Sequence, residues 1–335
     1  MRSAFLLLLG LFGASCLPAQ QTTLSGPVEA ITFDGPTRSL RAVIGFPGSA
    51  SFGPALMDSL EFASVAPHQN YGIVFEGGKC LFVSDLNLKK ISKVAIANIT
   101  AYPDGIVWSA NGSLAILYSR AARLFQTIGG FPGTPVAEAA TDVSSLGGEL
   151  TAIAVDASGK QIAVAVSGAD GGVYRSADGQ FTRLASMAKP ESLSFSSDGQ
   201  TLYALDSATG QVTAASLGGH GFQTLDLPGI ANPIAIQSLA DSQNRQLLYV
   251  AGGSDRMLRI VDVASQQIVM DLPLNFQPTS LDPFGTGSFV LASRSQSANP
   301  LWLFARTPQP GAYFVPAIQL RRPDHRIPVI PGRPR

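Results

Sequence analysis

Six residues with a side-chain oxygen stand directly before, or among the first residues of, short apolar segments that recur along the chain. Oxygens converging on one point can hold Ca²⁺ or another hard divalent cation, which takes about six to eight oxygen ligands. A hydrolase is the corresponding function, with Asp104, Glu149 and Glu191 as the acids to test. The competing interpretation is that polar residues at these positions only cap strand ends. The six residues are Glu61, Asp104, Glu149, Glu191, Asn232 and Gln277.

A second set of charged residues follows the second segment of each repeated pair and mixes both signs. This set suits recognition of a sugar or a peptide, and solvated loops explain it equally well. The histidines have no metal-ligand spacing, and neither a Gly-x-Ser-x-Gly nucleophile motif nor a phosphate-binding loop occurs. The sequence therefore predicts no specific catalytic set. The charged residues are Glu76, Arg120, Asp170, Asp255 and Arg294.

The elements that must position these residues are β-hairpins, most clearly in residues 190–206 (PESLSFSSDGQTLYALD). Leu193 and Phe195 alternate with serines, which is typical of a half-buried strand. Asp198-Gly199 predicts a tight turn, because glycine adopts positive φ without steric cost. Residues 202–205 then form the second strand.

Similar hairpins follow one another along the chain, and their turns are about 40 to 47 residues apart, a period typical of a β-propeller with four strands per blade. Two further strands follow each hairpin. Seven such outer pairs occur, with residues 30–35 and 40–44 as the first, but only six inner hairpins. The sequence predicts an all-β fold with seven blades, or six as the alternative. The N-terminal strands are expected to close the ring by pairing with the C-terminal region.

The composition suits a large globular domain and excludes some partners. The chain has 335 residues, of which 45% are hydrophobic and 14% charged, so it can bury a core and does not resemble a disordered protein. Its formal net charge is zero, which gives no electrostatic basis for binding nucleic acid or an acidic membrane. We expect a monomer.

Both ends of the chain differ from the predicted propeller domain, residues 20–316. Residues 1–19 have a basic start and an apolar stretch that is shorter than the roughly 20 residues needed to span a bilayer, which predicts a secretory signal. Residues 13–16 also resemble a relaxed bacterial lipobox, in which Cys16 would carry a lipid. Without Cys16, Cys80 is the only cysteine, so no intramolecular disulfide can form. Residues 317–335 are rich in proline and arginine and predict an extended tail.

Two stretches resemble known propellers. Residues 190–206 resemble the P-x-x-I-A-F-S-P-D-G-K-x-L-Y-V-A-D units of secreted bacterial propellers with YVTN-type repeats, with Ser197 in place of proline. Residues 248–253 (LYVAGG) and 258–262 (LRIVD) are similar to the L-Y-V-A-N and V-S-V-I-D core of the same repeats, with Gly252 in place of asparagine. The resemblance implies the fold, and the group contains lactonase-like enzymes as well as surface-layer and adhesion-type proteins.

Residues 104–108 (DGIVW) also look like the E-G-P-x-W opening of gluconolactonase-type propellers, in which the acid is a metal ligand. Here Asp104 replaces glutamate and Ile106 replaces proline, and no Asn-Asn-Asp set follows in later repeats. The leading hypothesis is therefore a non-catalytic, secreted or periplasmic propeller that acts as a binding scaffold for a protein, peptide or saccharide, without a cofactor. The alternative is a lactonase-like hydrolase, with a divalent cation such as Ca²⁺.

Overall fold

The computed structural model describes residues 27–318, except 68–69, 88–89, 178, 219–220, 226, 228–231, 286 and 307–308. These residues form 28 β-strands and two short 3-10 segments, Gly35–Thr37 and Ser144–Leu146. Within them, no helix has the length and apolar character needed to cross a membrane. The predicted signal, Cys16 and nearly all of the predicted tail lie outside the described residues.

The strands form seven antiparallel sheets, each built from consecutive strands. The first sheet has three: β1 (Val28–Asp34), β2 (Ser39–Ile44) and β3 (Ser51–Met57). The second has β4 (Phe62–Val65), β5 (Gly72–Glu76), β6 (Lys79–Ser84) and β7 (Ser92–Ala95). The third has β8 (Gly105–Trp108), β9 (Leu114–Ser119) and β10 (Leu124–Gly129), with β11 (Val136–Ala137) and β12 (Thr141–Asp142) both paired to β10.

The remaining four sheets each have four strands in sequence order. The fourth sheet has β13 (Glu149–Val155), β14 (Ile162–Ser167), β15 (Gly172–Ala177) and β16 (Gln180–Ser186). The fifth has β17 (Pro190–Phe195), β18 (Thr201–Asp206), β19 (Gln211–Ser216) and β20 (Phe222–Leu225). The sixth has β21 (Pro233–Ala240), β22 (Gln246–Gly252), β23 (Met257–Asp262) and β24 (Gln267–Pro273). The seventh has β25 (Asp282–Phe284), β26 (Ser288–Ala292), β27 (Leu301–Ala305) and β28 (Gly311–Val315).

The sheets are the blades of a seven-bladed β-propeller, which confirms the predicted fold class and blade number. First strands of neighbouring blades contact one another around the centre, as β13, β17 and β21 do. Second strands are almost wholly buried, whereas fourth strands such as β7 are exposed. Burial thus decreases from the second to the fourth strand of a blade, in agreement with the apolar second strands of the sequence.

The hairpin turn at Asp198-Gly199 is fixed by local hydrogen bonds that the sequence encodes. Asp198 accepts hydrogen bonds from the Ser196 hydroxyl (2.6 Å) and the Gln200 backbone N–H (3.0 Å). Gly199 adopts φ +70°, which a residue with a Cβ rarely adopts. Short polar side chains that bond their own turn favour this conformation over a continued strand.

Apolar side chains fill the spaces between neighbouring blades. Between the fifth and sixth blades, Tyr203, Leu205, Ile236 and Leu248 pack together and are buried. Full burial of one such side chain stabilises the fold by about 1.5–3 kcal/mol. Since every blade contributes to two such layers, the ring needs no separate central core.

One stretch differs from the prediction. Glycine, proline and serine are frequent in residues 45–55, which in the sequence predicts a connection without regular structure, but Ser51–Met57 form β3. Pro54 is compatible with this strand because β3 is the outermost strand of its sheet and has register shifts where it pairs with β2. Proline is tolerated on edge strands, where no neighbour needs its missing N–H.

The ring closes where the seventh blade meets the first. Val43 and Ala50 pack with Phe284, Val290 and Leu301 in one buried cluster. Among the described residues, the first sheet forms no strand pair with the seventh. The predicted pairing between the N-terminal strands and the C-terminal region therefore stays a prediction.

Candidate functional site at the mouth of the central channel

The six predicted oxygen-bearing residues lie at or near the starts of first strands. We call the face where first strands begin the upper face, and antiparallel pairing brings the turns between second and third strands to it. Glu61, Asp104 and Asn232 directly precede β4, β8 and β21. Glu149 begins β13, Glu191 is the second residue of β17, and Gln277 lies five residues before β25.

Three of the six bond to the turn between the second and third strands of their own blade. The Glu61 carboxylate accepts a hydrogen bond from the Gly78 N–H (3.1 Å), and Asp104 accepts one from the Arg120 N–H (2.6 Å). The Asn232 side chain donates to the Ser254 hydroxyl (2.7 Å). These contacts favour the interpretation that the residues cap strand ends.

The three acids proposed for metal binding are not brought together. In the part of the chain that the structure describes, no group of three or more His, Cys, Asp or Glu residues could hold a metal ion. Glu149 and Glu191 are exposed, and Glu191 lies 3.9 Å from the Lys189 ammonium. Because one Asp104 oxygen already accepts the Arg120 N–H, this donor set does not fit a Ca²⁺ site built from these acids.

The mixed-charge set divides into exposed and buried members. Glu76 pairs with Lys93 at 2.7 Å on the surface. Arg294, predicted among the recognition residues, is instead buried, with a relative exposure of 7%. Its guanidinium lies 2.7 Å from the Asp34 carboxylate of the first blade and donates to the Asn299 carbonyl. The prediction for Arg294 was wrong because sequence position did not reveal that the first blade covers this loop.

Four residues form what we call the channel cluster: Asp104, Tyr118, Arg120 and Asp282. The Arg120 guanidinium lies 5.8 Å from the centre of the Tyr118 ring and 3.3 Å from the Thr151 carbonyl of the fourth blade. A Cβ at Gly105 would lie 2.5 Å from the Tyr118 hydroxyl, so only glycine leaves room for this ring. Two groups of the cluster, a phenol and a guanidinium, thus lie at the upper end of the third blade.

Electrostatic coupling connects this pair to the opposite side of the ring. Burial raises the pKa of Tyr118, Arg120 lowers it, and the charges of Asp282 and Asp104 raise it. Asp282 lies on β25, the first strand of the seventh blade, whereas Tyr118 lies in the third. In a ring of seven these blades are three or four positions apart, so their interaction must pass across the central channel.

The carboxyl of Asp282 has a perturbed pKa. Burial raises the pKa of Asp282, and a hydrogen bond with the Ser280 side chain opposes that rise. The residue nevertheless keeps solvent access. Both observations fit a side chain in a narrow channel, where protein surrounds the carboxyl while water still reaches it. A perturbed carboxyl in a concave, accessible place is a candidate functional group.

The sequence pointed to Asp104 and Arg120 but missed Tyr118 and Asp282. Tyr118 lies in an apolar strand, where an aromatic side chain is expected to pack. Asp282 lies between Leu281 and Pro283, and a carboxylate in so apolar a stretch is the one sequence feature that could have identified it. Their proximity depends on ring closure, which no local pattern encodes.

A surface groove of about 440 Å³ lies between the fourth and fifth blades. Its lining includes Arg183, Asp206 and Phe222. Arg183 already donates to the Gly171 carbonyl (2.6 Å), and Asp206 accepts the Ala208 N–H (2.9 Å). Asp206 thus bonds nearby backbone at the end of its strand. With these polar groups satisfied within the protein, the groove is a weaker candidate than the channel cluster.

Comparison with known proteins places the chain by fold alone. No family model matches the sequence, and no curated protein is significantly similar to it.

Solved propeller structures are similar in shape. The periplasmic gluconolactonase PpgL of Pseudomonas aeruginosa is 18% identical, with a TM-score of 0.57 over 87% of this chain and 96% of that one. Catalytically inactive virginiamycin B lyase from Staphylococcus aureus, solved with quinupristin, is 14% identical, with a TM-score of 0.55 over 78% and 85%. The dihydro-heme d1 dehydrogenase NirN is 12% identical, with a TM-score of 0.56 over 90% and 66%. At these identities the likeness supports the propeller fold.

Proposed function

We propose that this protein is an exported binding module whose channel mouth recognises a hydroxyl-rich ligand, a saccharide in the first instance. The observation that carries the proposal is the Arg120 guanidinium over the Tyr118 ring at the upper face, and the solvent-exposed Asp282 carboxyl, whose charge acts on Tyr118, supports it. Phenol, guanidinium and carboxyl groups together donate and accept hydrogen bonds, which is what sugar hydroxyls require. The aromatic face of Tyr118 adds an apolar surface for a sugar ring.

The predicted site residues take a supporting role in this proposal. Glu61, Asp104 and Asn232 hold the upper-face turns, while Glu149, Glu191 and Gln277 are exposed around the same face. Because two of the four acids, Glu61 and Asp104, cap turns, the arrangement suits recognition better than chemistry. A peptide or protein segment is the competing ligand, and we expect neither nucleic acid nor a cofactor to bind.

Binding to glycans tests the proposal. The purified protein is screened against envelope polysaccharide fragments, and Kd is measured by calorimetry for each hit. Arg120→Gln is expected to weaken binding by about tenfold or more, because a hydrogen bond to a charged group contributes about 1.5–3 kcal/mol. The matched control is Arg245→Gln, which alters an exposed Arg245–Asp241 pair at the turn between a first and a second strand, on the lower face. Equal losses in both variants, or hits among peptides alone, would contradict saccharide recognition at the channel.

The raised pKa of Asp282 favours one second candidate, a hydrolase. A carboxyl whose pKa is raised by burial is a candidate general acid or base, and its charge acts on Tyr118. The test is turnover of lactone and ester substrates by the wild type and by Asp282→Asn. Metal analysis accompanies it: a stoichiometric divalent ion that is lost in Asp104→Ala or Glu191→Ala would support a metal-dependent enzyme. If no substrate is turned over and chelator does not change Tm, the hydrolase is rejected and the binding module is kept.

Export is a separate part of the proposal and has its own test. Intact mass of the exported protein distinguishes cleavage after Ala19 from a lipid on Cys16. A chain that begins at Gln20 rules out the lipid-anchored form, whereas a chain that begins with a modified Cys16 assigns the protein to a membrane surface.

A further inference from the structure

Small side chains of the fifth blade line the groove beside the fourth. Residues paired directly across neighbouring strands lie on the same side of a sheet. Strand pairing places Ala204, Thr213 and Thr224 in one row across β18, β19 and β20. Ala204 packs in one buried cluster with Val173 and Met187 of the fourth blade, so the row faces that blade. The row changes from a methyl group in the second strand to hydroxyl groups in the third and fourth.

The same position in the third strand of the adjacent blades holds a long side chain. Counted from the register shift at the start of each first strand, the place of Thr213 is taken by Tyr174 in the fourth blade and by Arg259 in the sixth. Arg259 is buried and forms an ion pair with Asp271 of the fourth strand. Two threonines occupy less volume than such a pair, and the groove of about 440 Å³ lies beside them.

The Thr213 hydroxyl lines this groove without a protein partner. Thr213 has a relative exposure of 8%, and among the described residues its hydroxyl makes no hydrogen bond. Thr127, in the third strand of the third blade, is buried to a similar degree (7%), but its hydroxyl bonds the Glu138 carboxylate at 2.6 Å. Buried polar groups in proteins nearly always have a partner, so the free hydroxyl of Thr213 is suited to a bound ligand.

The unpaired groups of the groove are neutral. The side chains of Thr224 and Gln211 also line it, and within the described part of the chain neither side chain makes a hydrogen bond. The charged side chains of the lining, Arg183 and Asp206, are instead held by the backbone contacts described above. Hydroxyl and amide groups both donate and accept hydrogen bonds. The groove therefore favours a neutral ligand that can do the same.

An exposed aromatic ring borders these groups. Phe222 lines the groove with a relative exposure of 64%. It lies two residues before Thr224 on β20 and therefore points to the same side of the sheet. The volume of the groove is within the range of small-molecule sites, about 300–1,000 Å³. The groove thus combines an apolar ring surface with neutral hydrogen-bonding groups.

We propose that this groove is a second ligand site, separate from the channel cluster, which binds a small neutral saccharide. A sugar ring carries hydroxyl groups around its edge and C–H groups on its faces. The hydroxyls of Thr213 and Thr224 and the amide of Gln211 bond the sugar hydroxyls, and the Phe222 ring packs against a sugar face. The proposal does not rest on what the channel binds, because the groove and the channel cluster share no residue.

A tryptophan placed in the groove reports binding there. Phe222→Trp keeps an aromatic surface and adds a local fluorescence signal, and the wild type, whose tryptophans lie in the third and seventh blades, is the blank. The probes are methyl glycosides and neutral disaccharides. We expect a saturable change with at least one of them in Phe222→Trp and none of that size in the wild type.

The hydroxyl of Thr213 is then tested in the Phe222→Trp protein. Thr213→Val should weaken binding about threefold to tenfold, because it removes one neutral hydrogen bond to the ligand. The matched control is Thr182→Val, which removes a hydroxyl from β16 outside the groove lining. Arg120→Gln, in the channel cluster, should leave the signal unchanged, so a failure of the channel site and a failure of the groove are seen separately.

Stability distinguishes a ligand-binding hydroxyl from a structural one. Thr213→Val should keep the wild-type Tm, because its hydroxyl has no protein partner to lose. Thr127→Val should lower Tm, because the Glu138 carboxylate loses its donor.

Filling the groove should abolish the signal. Thr213→Tyr copies the fourth blade, and Thr224→Tyr, at an exposed position, fills the groove if the first variant fails to fold. The proposal would be overturned if no saccharide gives a saturable signal, if Thr182→Val weakens binding as much as Thr213→Val, or if Thr213→Val lowers Tm as Thr127→Val does. Loss of the signal in Arg120→Gln with full binding in Thr224→Tyr would assign the ligand to the channel and also overturn it.

Discussion

Two interfaces between neighbouring blades, which we call seams, are held together in different ways. Between the fifth and sixth blades, both first strands are in place, and serine hydroxyls on one accept backbone N–H groups of the other. Ser194 accepts the Ser238 N–H (2.8 Å), and Ser192 accepts the Ile236 N–H (3.1 Å). Between the seventh and first blades, the described residues meet through the apolar cluster that contains Val43 and Phe284 and through the buried Arg294–Asp34 pair, with side-chain exposures of 2% and 0%.

The difference shows what replaces a missing strand contact. Neutral hydrogen bonds suffice where two strands lie side by side, because the backbone itself supplies the donors. Where the described part of the first blade contains no such strand, two charges are buried instead, and their desolvation is offset only while both are present and fully hydrogen-bonded. Arg294 also lies over the Phe52 ring, 5.3 Å from its centre. The closing seam should therefore tolerate substitution less well than the regular one.

The largest effect is expected for Arg294→Ala. It removes the nearer cation of the buried Asp34 carboxylate and leaves the Arg41 guanidinium, 3.9 Å away, as the remaining one. Breaking such a buried pair costs about 3–5 kcal/mol of the free energy of unfolding. Denaturant unfolding measures the loss. The control is Arg245→Ala at the exposed Asp241 pair, where about 0–1 kcal/mol is expected. Similar losses in the two variants would mean that the closing seam does not depend on the ion pair.

A smaller effect is expected at the regular seam, for Ser194→Ala. The variant removes the acceptor of the Ser238 N–H, and leaving a buried donor unsatisfied costs about 1–3 kcal/mol. Ser197→Ala is the matched control, because Ser197 makes the same kind of bond to Ala240 (2.8 Å) but is exposed. If Ser194→Ala were as damaging as Arg294→Ala, the contrast between the seams would disappear.

The smallest effect is expected at a hairpin turn away from both seams, at Asp156. Burial raises the pKa of Asp156, but hydrogen bonds from Gln161, Ser158 and Lys160 outweigh it and hold the pKa below 3.8. The stability from this carboxylate is therefore present above its ordinary pKa and is lost as the pH falls through the lowered value.

Thermal unfolding from neutral pH to about pH 3 tests this sign. Asp156→Asn should lose less stability on acidification than the wild type does. The control Glu149→Gln, at an exposed site, should lose as much stability as the wild type. A steeper acid loss in Asp156→Asn would contradict the assignment.

Local sequence patterns predicted much of the ring. The alternation of Leu193 and Phe195 and the turn at Asp198-Gly199 depend on residues only a few positions apart, and the same pattern located the other hairpins. The strand at Ser51–Met57 was missed because glycine and proline are frequent there, and only its place at a sheet edge makes Pro54 acceptable.

The sequence by itself predicted strand periodicity and turn chemistry and favoured seven blades over six, since these follow from residue patterns along the chain. Only the tertiary structure decided that Arg294 is buried against Asp34, 260 positions away, and that Asp282 acts on Tyr118 across the channel. Such contacts join segments that no repeat period relates, and they form only when the ring closes. For that reason the channel cluster became visible in the fold and not in the sequence.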